Sequence, residues 1–234
     1  MKYAALILTT ILPTILVTTS CGARGERSVE APVIRPSEVA DFSLLYGQNC
    51  SGCHGAEGQG ALTVGIGTPI YLAIASDATM HDVIEQGRPG TPMPAFAQTA
   101  GGMLTDVQID ILVRGIRTRW SKPGYFEKDP PPSYAASQPG DAERGHQVFT
   151  AVCAACHGPD GRGARAIADS SFLALVSDQH LRTVTITGMP HLGMPDWRTH
   201  TTPLSDADVT DIVAWLAAQR QPLSAQMSHR GDSQ

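Results

Sequence analysis

Residues 50–60 read CSGCHGAEGQG and residues 153–163 read CAACHGPDGRG: in each, two cysteines flank two small residues and a histidine follows at once. Positions i, i+3 and i+4 of a helical turn share a face. Cys50, Cys53 and His54 therefore point one way, as do Cys153, Cys156 and His157. Two thiols and an imidazole on one turn suit the attachment of haem, the thiols as thioethers and the imidazole as iron ligand. CxxCH is the attachment signal for c-type haem. A redox CxxC would ask for a βαβ setting and leaves the histidine unexplained. A zinc site would need two pairs 103 positions apart to meet, each with a histidine. Two such units at matching places in a repeat point to two covalently bound haem c groups, with cofactor residues Cys50, Cys53, His54, Cys153, Cys156 and His157.

The elements that must hold these turns repeat along the chain. Gly87 and Gly188 stand 101 positions apart, as do Met93 and Met194, while LTDVQIDILVRGI and LSDADVTDIVAWL match at an offset of 100. Such drifts place deletions in loops. Thr105 with Gln108 forms a capping box, and Ser205 with Asp208 is a near relative. Ile109, Leu112, Val113 and Ile116, then Val209, Ile212, Val213 and Leu216, recur at helical spacing. VADFSLLYGQNC and DAERGHQVFTAVC read as helices that run into the CxxCH turns. No series of alternating strands appears, so each half is expected to be a small all-α unit. SKPGYFEKDPPPSYAASQPG joins the halves, and its three consecutive prolines suggest a semi-rigid extended spacer.

Composition narrows the function. The chain has a net charge of −5 and no Lys/Arg-rich run, which argues against nucleic acid. Aromatics are only 6%, few for two self-sufficient small cores, so a cofactor is expected to fill the middle of each. Met1-Lys2 and the apolar AALILTTILPTILV, broken by Pro13, fit an export signal better than a membrane span. TTSCG then places Cys21 where a bacterial lipoprotein would carry its lipid, although Thr18 stands where such signals usually hold an aliphatic residue. Lipid at Cys21 would account for the odd fifth cysteine. The expected location is the periplasm, with the chain anchored in the membrane by that lipid.

Each half resembles a single-haem cytochrome c domain, and the chain resembles a dihaem bacterial cytochrome c built from two class I-like domains. The resemblance runs from CxxCH through a Met-Pro loop to the closing helix. It implies a methionine as the sixth iron ligand: Met93 in GRPGTPMPAF and, by the match of the repeats, Met194 rather than Met189 in GMPHLGMPDW. The metal ligands are then His54, Met93, His157 and Met194. Met80 and Met103 are read as core, and His81, His146, His180 and His229 as surface residues. The first half departs from the family's pattern: it has Phe42 where the second has Gly145, and Gly115 where the second has Trp215.

The domain plan that follows is signal and lipid site 1–21, tether 22–36, cytochrome domain 37–120, Pro-rich linker 121–139, cytochrome domain 140–221 and tail 222–234. Iron held by His and Met has no open position for substrate, so no catalytic residue is assigned. The resemblance implies an electron carrier between redox protein partners, such as a quinol-oxidising complex and a terminal oxidase or reductase. The alternatives are a subunit that takes in or hands out electrons within a membrane oxidoreductase, and a dihaem peroxidase.

Overall fold

Side-chain caps mark where the helices start. In the computed structural model, residues 34–126, 128–200 and 202–220 are described. The export signal, Cys21, most of the tether, His229 and the tail lie outside the described residues. The first repeat contains α1 (Phe42–Asn49), α2 (Ser51–His54), α3 (Pro69–Ile74), α4 (Asp77–Gln86) and α5 (Asp106–Trp120). The second contains α6 (Ala142–Val152), α7 (Ala154–His157), α8 (Ser170–Leu175), α9 (Asp178–Thr187) and α10 (Asp206–Ala218). Among the described residues there are no strands, only the isolated bridges Ala97–Leu104 and Met189–Met194. The all-α expectation holds.

Both capping boxes form. Thr105 and Gln108 exchange backbone-to-side-chain bonds at the start of α5, as do Ser205 and Asp208 at the start of α10. Gln108 has a second task. Its amide nitrogen donates to the carbonyls of Pro36 (2.8 Å) and Val39 (3.0 Å), fastening the beginning of the first repeat to its closing helix. Asp41 caps α1 by accepting from the Leu44 amide, and Asp141 caps α6 through the amides of Glu143 and Arg144.

The apolar faces read from the sequence are the buried ones. Ile109, Leu112, Val113 and Ile116 join Leu45, Tyr46 and Met80 in one core. Val209, Ile212, Val213 and Leu216 join Phe149, Leu173 and Ile186 in the other. Met103 departs from expectation: it is 78% exposed, because it sits in the turn before Leu104, which takes the buried place itself.

The departures at Phe42 and Gly115 compensate one another. A Cβ added at Gly115 would overlap the Phe42 ring, so the ring occupies the space that the missing side chain leaves on α5. In the second repeat the small residue is on the other helix: a Cβ at Gly145 would overlap the Asp211 carbonyl oxygen of α10, so the two backbones approach directly. Trp215 packs on Phe149 there, with ring centroids 4.4 Å apart. In the first repeat Trp120 stands edge-on to Tyr46 at 5.0 Å and to Phe42 at 5.9 Å.

Both repeats belong to one contact unit that begins at Arg35. Helix α3 of the first meets α9 of the second. Ile70 and Ile74 of α3 pack in the second core, while Val184 of α9 packs against the first. The Pro-rich segment is docked along this seam. Tyr134 packs against the first core and Phe126 against the second. The Tyr134 hydroxyl accepts from Arg88 (2.6 Å), and its carbonyl accepts from Gln179 (2.7 Å). Arg182, 2% exposed, donates to the Ser133 carbonyl, the Thr210 hydroxyl and the Asp206 carboxylate.

Candidate functional site

Each CxxCH turn is a short helix continuing a longer one. Cys50 ends α1 and starts α2; Cys153 ends α6 and starts α7. The His54 amide bonds to the Cys50 carbonyl and the His157 amide to the Cys153 carbonyl, both at 3.0 Å, which sets the two thiols and the imidazole on one turn. Cys53 and Cys156 are exposed, Cys50 and Cys153 partly buried, and all four thiols are free. Burial, with the second thiol nearby, pushes Cys50 up to about 12 and Cys153 up to about 11. Thiols so poised are poor redox nucleophiles at neutral pH.

The imidazoles are oriented by the loops that follow them. His54 Nδ1 is 2.9 Å from the Val64 carbonyl oxygen, and His157 Nδ1 is 2.6 Å from that of Arg165. A carbonyl only accepts, so each Nδ1 carries the proton and each Nε2 keeps its lone pair for a metal. Burial lowers the His54 pKa, with the Val64 bond acting against it, which favours the neutral, ligating form.

The Met-Pro loops superpose in their bonding. Gly87 and Gly188 end α4 and α9 at φ of +67° and +65°, and an added Cβ would strike the Pro94 or Pro195 backbone. Only glycine suits that conformation and that approach. The Arg88 amide then donates to the Met93 carbonyl (2.9 Å), and the Met189 amide to the Met194 carbonyl (3.0 Å). Met189 is thus the counterpart of Arg88, and Met194 that of Met93. Beyond the loop, Phe96 N bonds to Ile84 O and Trp197 N to Ile186 O, while the carbonyls of Phe96 and Trp197 accept from Leu104 and Leu204. The two loops share a plan, with the bond to the helix end shifted by one residue: Ile84 stands three positions before Gly87, Ile186 two before Gly188.

His180 departs from the surface reading, and two other histidines make contacts of note. His146 stacks on Trp215 with centroids 4.9 Å apart. His180 is partly buried on α9 near His54, and burial followed by that neighbour holds its pKa below the usual imidazole range. His191, in the second Met loop, abuts the first repeat: a Cβ at Gly60 would lie 2.9 Å from its Cε1. No sequence pattern announces these contacts: that of His146 lies within the second repeat, and those of His180 and His191 depend on how the repeats meet.

The residues present fit haem. Each free thiol pair stands on the turn of an imidazole whose Nε2 is spared. In the second repeat the Trp197 indole nitrogen is buried without an acceptor among the protein atoms, which suits a group bringing an acceptor of its own.

The family profile and the curated relatives agree with this reading. The profile of the family described as "Cytochrome C oxidase, cbb3-type, subunit III" matches residues 37–114 and 140–216. A cbb3-type cytochrome c oxidase subunit CcoP from Azospirillum sp. (strain B510) is 33% identical over 55% of this chain and 42% of its own length. A subunit CcoP from Rubrivivax gelatinosus is 28% identical over 61% of this chain and 41% of its own. A subunit FixP from Sinorhizobium medicae (strain WSM419) is 30% identical over 60% and 46%. The chain thus spans less than half the length of these curated relatives. A solved chain of the reducing HAO-like protein complex of Kuenenia stuttgartiensis has a TM-score of 0.44 at 20% identity, covering 77% of this chain and 96% of that one.

Proposed function

The chain belongs to the family of cbb3-type cytochrome c oxidase subunit III and carries two cytochrome c domains with two covalent haem c groups, and from that membership we propose that it is a dihaem electron-transfer module working with a membrane-bound terminal oxidase. The observation that carries this reading is the duplicated CxxCH turn with its imidazole Nδ1 committed to a carbonyl and its Nε2 free.

Cys50, Cys53, Cys153 and Cys156 hold the haems as thioethers, and His54 and His157 ligate the irons. Met93 and Met194 would each supply a thioether sulfur as a further iron ligand. Bound haem supplies a one-electron ferric/ferrous couple. A thioether ligand favours the reduced iron and raises the potential. With a histidine and a methionine for each iron, the chain would pass electrons rather than hold a substrate at the metal. The module acts in the periplasm, fed by a quinol-oxidising complex or a carrier that such a complex reduces, and is tethered by lipid at Cys21. Among the described residues no helix is long and apolar enough to cross a membrane.

The relatives' description as oxidase subunits supports a lasting partnership over a freely diffusing carrier. Expression with haem-attachment machinery in the native host, followed by mild-detergent affinity purification, tests both parts. The expected result is two haems per chain and co-purification of a haem-copper oxidase core. A chain that arrives alone would leave the electron carrier standing and remove the permanent subunit. A colourless chain with four alkylatable thiols would remove both.

A further inference from the structure

The two Met loops are fastened by different means. In the second, Arg165 from the loop after His157 donates to the Leu192 carbonyl (3.0 Å), so the second repeat holds its own loop. The first has no counterpart: Val64, whose carbonyl takes the imidazole bond as that of Arg165 does, has an aliphatic side chain. Thr91 keeps its bonds inside the loop, donating to the Arg88 carbonyl (2.8 Å) and accepting from the Met93 amide (3.3 Å). Among the described residues, the side-chain hydrogen bond that leaves residues 88–93 is the one from Arg88 to the Tyr134 hydroxyl, at 2.6 Å.

Tyr134 belongs to the connecting segment, outside both family matches, and it is held by the second repeat. Gln179 of α9 donates to its carbonyl (2.7 Å), and Arg182, one turn on, donates to the carbonyl of Ser133 (3.0 Å). The Tyr134 ring packs against the first core. Burial raises its pKa with Arg88 acting against it, so the hydroxyl keeps its proton at neutral pH and accepts through a lone pair. A chain of bonded groups thus runs from α9 through this ring to Arg88, the residue whose own amide bonds to the Met93 carbonyl (2.9 Å). A loop with few outside ties lies at the low-stability end of a fold, so a single added tie weighs heavily on its opening.

We propose that Tyr134 is a positioning residue: anchored on α9, it braces the first Met loop and keeps Met93 on the first iron, so that ligation in one repeat depends on the docking of the other. The inference rests on the reading of Met93 as an axial ligand. Tyr134 itself touches no iron and acts through Arg88. Coupling of this kind is reciprocal in free energy. An event that lifts the linker from α9 frees Met93, and a ligand that displaces Met93 loosens the linker. The second loop, tied through Arg165, does not depend on Tyr134.

The test is Tyr134→Phe in the full, haem-loaded chain, which keeps the ring and removes the hydroxyl. Imidazole is titrated into the ferric protein, where it competes with methionine sulfur for iron. One of the two haems is expected to bind it about fivefold more tightly than in the wild type, the low end of ordinary coupling between sites, and the other to bind it as before. Gln179→Ala, bonded to no residue of the loop, should give the same change at the same haem, and serves if Tyr134→Phe loads fewer than two haems. The double variant should exceed Tyr134→Phe alone by little, since both act through one chain of groups. In a Met93→Ala background, Tyr134→Phe should leave imidazole binding unmoved at both haems. With two haems present and imidazole binding unmoved in both single variants, the proposal is overturned, whatever their thermal stability. Equal tightening at both haems would mean a general loosening and overturns it too. Wild-type imidazole binding in Met93→Ala itself would strike the Met93 reading, a separate outcome.

Discussion

His54 and His157 show how a single backbone carbonyl prepares a ligand. Once Val64 or Arg165 accepts the Nδ1 proton, the tautomer is fixed and Nε2 is left to the metal. The proposed opposite ligands, Met93 and Met194, hold matching places in their loops, since Arg88 bonds to Met93 as Met189 bonds to Met194. Met93→Ala and Met194→Ala should therefore each open one of the two ferrous irons to carbon monoxide and remove part of the sulfur–iron charge-transfer absorption. Met189→Ala should do neither. Carbon monoxide difference spectra of the three variants check this, and binding in Met189→Ala but not in Met194→Ala would exchange the two assignments. The CxxCH turns are legible in the sequence because their geometry is local, confined to one turn of helix. The Trp197 orphan and the second task of Gln108 are not, since the one needs the folded surroundings and the other needs partners 72 and 69 residues away. The same blindness makes Met103 look like core and His180 look like surface.

The helices teach a related lesson in packing. Periodicity and caps place the starts of α5 and α10 to within a residue or two, because amphipathic spacing and Ser/Thr capping act within a few positions. How α1 crosses α5 is not readable that way. The exchange of a small residue from Gly145 on α6 to Gly115 on α5 becomes intelligible only when the Phe42 ring is seen over the vacant place. The two crossings should then respond differently to the same change. Gly145→Ala drives a methyl into the Asp211 carbonyl of a backbone that cannot yield, and overpacking of this kind costs about 1–3 kcal/mol. Gly115→Ala meets a side chain, so pairing it with Phe42→Leu should restore most of what it loses. Denaturant unfolding of the haem-loaded variants measures both. Equal losses, with no recovery in the pair, would mean that the Phe42 ring is not what fills the first crossing.

The molecule as a whole is more tightly joined than a Pro-rich linker suggests. Prolines announce an extended segment, but nothing in their pattern reveals that Tyr134 joins Arg88 of the first Met loop to Gln179 of the second repeat, or that a buried Arg182 grips Ser133. Each repeat also lends apolar residues to the other's core, so the two domains pack as one body. One body should melt as one: calorimetry of the haem-loaded chain is expected to show a single transition whose calorimetric and van't Hoff enthalpies agree. Arg182→Leu keeps an apolar stem but removes the bonds to the Ser133 carbonyl, the Thr210 hydroxyl and the Asp206 carboxylate, a loss of about 0.5–1.5 kcal/mol for each ordinary hydrogen bond. It should release the linker and separate the unfolding of the two repeats, so that the calorimetric enthalpy exceeds the van't Hoff value. Two resolved transitions in the unmodified chain would show instead that the seam between α3 and α9 contributes little, and that the repeats are neighbours only.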